Sequence, residues 1–77
     1  MNQFQLHPVN SLVCGVHTSD GTHVGNLKLI VGAWKFKAIG VDANGHVIPG
    51  GGPLTGQHNK VFAVLDEAAI SAALLTE

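Results

Sequence analysis

The chain has 77 residues, 45% of them apolar and 12% charged, with a formal net charge of −1 and a mean hydropathy of +0.28. That length suits one domain over residues 1–77, and a typical soluble domain carries about twice this share of charge. The apolar content excludes a disordered chain, and four basic residues, all lysine, argue against a nucleic-acid footprint.

One cysteine, Cys14, excludes an internal disulfide framework. No basic, apolar signal is legible at the N-terminus, and no apolar run approaches the roughly 18 residues of a membrane span. The expectation is a soluble cytoplasmic or particle-borne protein. A small chain buries only about 60% of its unfolded surface, so this apolar surplus points to a surface patch or to cover by another chain. A net charge near zero does little to oppose association.

Residues 1–10 read as an irregular arm, or as an edge strand at Gln3–Leu6. Ser11 to Thr18 alternates, with Leu12, Cys14 and Val16 on one side, which predicts a strand. Ser19-Asp20-Gly21 is a turn signal. Thr22 to Val31 and Ala33 to Val41 are further strands. In the latter, Trp34, Phe36 and Ala38 share one face and Lys35 and Lys37 the other. Residues 27–41 also fit one long strand bent at Gly32, since Gly inside a strand often marks a bulge or corner.

Asn44-Gly45 is the strongest hairpin signal and suits a tight primed turn. A short strand follows at His46–Pro49. Residues 49–59 form a Gly/Pro-rich loop. Residues 60–65 fit a strand or a helix, with branched residues favouring strand. Asp66 is a good N-cap for a helix over 66–75, which is too short to persist without docking. The sum is an α+β domain: a small antiparallel sheet of four to five strands, strongly twisted or a partly closed barrel, followed by one C-terminal helix.

Chemistry-bearing patterns are sparse. Cys14, His17 and His23 match no zinc spacing, and i, i+3 positions on a strand face opposite ways. Asp42-x-Asn44-Gly45 opens like a calcium loop, but position twelve is Pro53 where a Glu is needed. Gly50-Gly51-Gly52 lacks the Gly-Lys-Ser/Thr of a phosphate loop. Trp34-Lys35-Phe36-Lys37 places its aromatics and its charges on opposite faces, which suits core aromatics and solvated lysines better than a nucleic-acid stacking surface. No serine sits in a nucleophile elbow. No catalytic residue, metal site or cofactor is assigned.

What remains is the 49–59 loop, because loops of this length usually carry a role. Gly50, Gly51, Gly52, Thr55, Gln57, His58 and Asn59 are its candidate partner- or ligand-binding residues. The helix adds Ile70, Leu74 and Leu75 as a candidate oligomer contact. The leading expectation is a non-catalytic interaction or structural module whose partner is itself or another protein subunit. The alternative is a small-ligand or metal-binding module, or a small enzyme, built on the loop.

Overall fold

Period-two alternation decides the layers. In the computed structural model, which describes residues 4–75, strands β1 (Gln5–Asn10), β2 (Val13–His17), β3 (His23–Ile30), β4 (Ala33–Val41), β5 (Val47–Pro49) and β6 (Val61–Phe62) form one antiparallel sheet. Helix α1 (Glu67–Leu74) follows. Cys14, Val16, Val24, Leu27, Phe36 and Ala38 point inward from the sheet and meet Phe4, Ile70 and Leu74 in a single core. Leu6, Trp34, Leu54 and Phe62 pack at its margin. Among the described residues no helix is long and apolar enough to cross a membrane.

The strand order is β1-β2-β3-β4-β5, with β6 also on β4. The sheet is open, which corrects the partly closed barrel. Closure fails because the free edge of β1 meets the helix and no strand. The Phe4 amide donates to Ser71 Oγ at 3.0 Å, and that hydroxyl donates back to the Phe4 carbonyl at 3.0 Å. The Leu6 amide donates to Glu67 Oε2 at 3.1 Å. Pro8, next along the strand, has no amide to offer. Three consecutive outward positions are thereby closed to further pairing. The N-terminal strand runs further than expected, from Gln5 to Asn10; Gln3 lies outside the described residues.

The β3–β4 turn decides between two open readings, and the Asn44-Gly45 turn differs from expectation. Residues 27–41 form two strands, since Ile30 pairs with Ala33 around a two-residue loop at Val31-Gly32. Both loop residues have positive φ, 49° and 77°, the signature of a primed hairpin turn. At Asn44-Gly45 only the glycine has positive φ, and the loop is wider. The Asp42 amide donates to the His46 carbonyl, while the amides of Asn44 and His46 donate to Asp42 Oδ1. Asp42 thus organises this turn through its carboxylate, as Asx turns do.

Residues 61–62 are strand, so the strand reading of this segment holds there and the chain bends before the helix. The helix is capped as expected, with Asp66 accepting from the Ala69 amide at 3.2 Å and Glu67 in the first turn.

At Gly40 the loop backbone lies directly against the sheet. A Cβ there would lie 2.6 Å from the amide nitrogen of Gly52, itself at φ +83°. Gly40→Ala is expected to destabilise the fold by about 1–3 kcal/mol through this overpacking, measured as a lower urea midpoint at unchanged slope.

Candidate functional site

The 49–59 loop runs along the outer edge of β4. Between β5, which pairs Ile39 to Val41, and β6, which pairs Trp34 and Lys35, the central residues of β4 have no strand beside them. The loop supplies their partners. The Phe36 amide donates to the Lys60 carbonyl, and the Asn59 amide donates to the Phe36 carbonyl, both at 2.7 Å. The Gly50 amide donates to the Ala38 carbonyl at 2.7 Å. His58 Nδ1 accepts the Ala38 amide at 3.0 Å, so the imidazole takes the place of a backbone carbonyl in the ladder. An Nδ1 that accepts is unprotonated, which puts the ring's proton on Nε2.

The other polar groups of the loop also bond within the chain. Thr55 Oγ1 donates to the Gly50 carbonyl at 2.6 Å, and Asn59 Oδ1 accepts from Lys37 Nζ at 2.7 Å. A 3₁₀ turn at Thr55–Gln57 carries the chain back toward the sheet, with Gln57 half-buried. Gly51 bonds to Ile48, and Gly52 sits against Ile39 and Gly40. The structure therefore sets Gly50, Gly52, His58 and Asn59 against β4, with Gly51 on Ile48 and Thr55 bonded to Gly50 within the loop. Thr55, His58 and Asn59 spend their side chains on internal bonds that a ligand would have to displace.

The three helix residues part company. Ile70 and Leu74 are buried against the chain's own sheet, at 0% and 2% exposure. That burial leaves them no surface for a second chain, which corrects their place in an oligomer contact. Only Leu75, 48% exposed, keeps one.

The sheet face opposite the helix is uncovered. Register places Val13, Lys28, Lys35 and Val61 in one row across β2, β3, β4 and β6. The next row holds His7, Gly15, Asn26 and Lys37. His17 and His23 are cross-strand partners beyond it. Their rings stack with centroids 4.5 Å apart, and the His7 ring meets His17 edge-on at 4.4 Å. His23 Nε2 bonds Asn26 Oδ1 at 2.9 Å, whereas His17 Nδ1 is buried without a hydrogen-bond partner. Burial holds the His17 imidazolium below its ordinary range, and the neighbouring His23 and His7 push the same way. Among the described residues no group of three or more His, Cys, Asp or Glu side chains has a geometry that could hold a metal ion.

A groove of about 370 Å³ opens at the end of the sheet where Phe4, Val24, Pro53 and Leu75 meet the β2–β3 turn, with Thr18, Ser19, Asp20 and Thr22 on its rim. The Asp20 carboxylate accepts from the Thr18 hydroxyl and from the amide and hydroxyl of Thr22. These bonds, led by Thr18, hold its carboxyl below the usual range. Cys14 is 1% exposed, and burial pushes its thiol up, toward the unreactive protonated form.

The face that Lys28, Lys35, Lys37 and the three histidines share is not legible in the sequence. Alternation put Lys35 and Lys37 together; only register adds Lys28 and the histidines. Comparison with family models, with curated proteins and with solved structures finds no match.

Two measurements probe these groups. The depressed His17 value means the unfolded chain takes up a proton there more readily than the folded one. The linked stability is present above about pH 6.5, the unfolded value, and is lost as pH falls through the lower folded value. His17→Gln is expected to flatten the melting temperature between about pH 7 and 5. His58→Ala leaves the Ala38 amide without its partner and is expected to cost about 1–3 kcal/mol in denaturant unfolding.

Proposed function

We propose that the chain is a non-catalytic protein-interaction module that works as a homo-oligomer or as a subunit of a larger assembly. Val31 carries this reading. It is β-branched, sits at φ 49° and is fully exposed at the tip of the β3–β4 hairpin. A β-branched side chain in the left-handed region costs about 1–2 kcal/mol, and no intramolecular packing offsets it here. A contact made to another chain accounts for an apolar residue kept at such a position.

Its surroundings support the same reading. The β1–β2 turn lies at the same end of the sheet, joined by the bond from the Leu29 amide to the Leu12 carbonyl. Leu12 and Ile30 are 56% and 42% exposed there, and Val9 is exposed on the adjoining strand. Few charges interrupt this apolar end, so association is weakly opposed. The alternative, ligand capture by the 49–59 loop, has less support because that loop's polar groups are engaged in closing the sheet.

Val31→Asn separates fold from function, because Asn tolerates positive φ and Val does not. The variant is expected to gain about 1 kcal/mol, a rise of roughly 4–8 °C in melting temperature. Its self-association in sedimentation equilibrium is expected to weaken by about tenfold or more. A wild-type chain that stays monomeric to about 1 mM, and so binds itself more weakly than about 4 kcal/mol, would count against self-association.

A further inference from the structure

The uncovered face of the sheet collects charge of one sign. Lys28 and Lys35 are direct cross-strand partners, so their side chains leave the sheet side by side with Cβ atoms about 5 Å apart. Lys37 lies two residues along β4 on the same face. His17 and His23 oppose each other in the same way, with His7 against His17. The carboxylates of the described residues lie elsewhere: Asp20 and Asp42 in turns, Asp66 and Glu67 at the start of the helix. A chain of net charge −1 thus turns three of its four lysines and three of its five histidines to one surface.

Like charges set opposite each other in a sheet repel and cost stability. Lys37 is held by Asn59, but neither the Lys28 nor the Lys35 side chain has a hydrogen bond or ion pair among the described residues. An anion whose oxygens bridge the two ammonium groups removes that repulsion. The row they occupy reads apolar, basic, basic, apolar from Val13 to Val61. Flanks of that kind suit a chain bearing apolar side chains beside its acids. A nucleic-acid strand has no aliphatic side chains to set on Val13 and Val61, and it gains most from exposed aromatic platforms, which the lysine row lacks.

We infer that this face docks an acidic segment of a partner protein, in which carboxylates bridge Lys28 and Lys35 while neighbouring apolar side chains rest on Val13 and Val61. The lysine row adjoins the hairpin-tip end, with Ile30 two residues from Lys28 on the same face, but the charge pair it rests on does not depend on self-association there.

The test titrates the full chain with a fluorescein-labelled peptide alternating Glu and Val, read by anisotropy. A Lys–Val peptide, an oligothymidylate and phosphatidylserine vesicles run in parallel. The Glu–Val peptide is expected to bind and to weaken as salt rises. Lys28→Gln combined with Lys35→Gln is expected to cut that affinity by about tenfold or more, with a melting temperature equal to or above that of the wild type because the like-charge pair is gone. Amide shift mapping on the wild-type chain gives the second reading, with changes expected at Val13, Lys28, Lys35 and Val61. Absence of peptide binding, an unchanged affinity in the double variant, a loss of folding in it, tighter binding to the oligonucleotide or vesicles, or shifts confined to the helix and hairpin tips would each overturn the proposal.

Discussion

Buried backbone must be hydrogen-bonded, and β4 is where this chain meets that demand. Its inward residues Phe36, Ala38 and Gly40 are all buried, and on one side β3 pairs Ala33 to Ala38. The other side has no single partner long enough to match it. The chain completes it piecewise, with β6, the backbone of Asn59 and Lys60, the His58 imidazole, the Gly50 amide and β5 in succession. An orphaned amide in such a place costs as much as several favourable contacts contribute.

Much of the remaining architecture follows from that repair. The glycines of the loop let its backbone lie directly on Gly40, a contact that any Cβ would block. The polar residues after them are placed to reach β4 and to fold the loop on itself. At the far edge of the sheet the helix does a comparable service for β1, where Ser71 and Glu67 occupy the outward backbone groups. The β1 edge is thereby closed within the chain by the helix, so strand addition there is disfavoured, while on the other side the loop fills the gap on β4 between β5 and β6.

Two unlike surfaces stay exposed. One is the apolar end formed by the hairpin turns, where Val31 carries backbone strain without local compensation. The other is the open sheet face, where lysines and histidines stand without carboxylates beside them. Their chemistry differs: burial of apolar area is insensitive to salt, whereas lysine–carboxylate contacts at a surface are screened by it.

Local chemistry was legible from the sequence alone. The alternation of Cys14 and Val16, and of Trp34, Phe36 and Ala38, fixes which side of each strand meets the core, because side chains alternate regardless of what lies beyond. Asp66 as a cap is equally local, since an N-cap needs only the amides that follow it. Turn chemistry was legible only in part. Asn44-Gly45 carries the stronger signal, yet the primed turn forms at Val31-Gly32, because the pairing of β3 with β4 leaves only two residues to reverse the chain. The role of the 49–59 loop, the burial of Ile70 and Leu74, and the gathering of Lys28, Lys35, Lys37 and three histidines on one face depend on register and on contacts between residues far apart in the chain. Composition and periodicity determined the layers of this protein. Which groups lie beside one another across those layers was decided by tertiary structure, since a shift of one residue in register would turn each such neighbour to the opposite face.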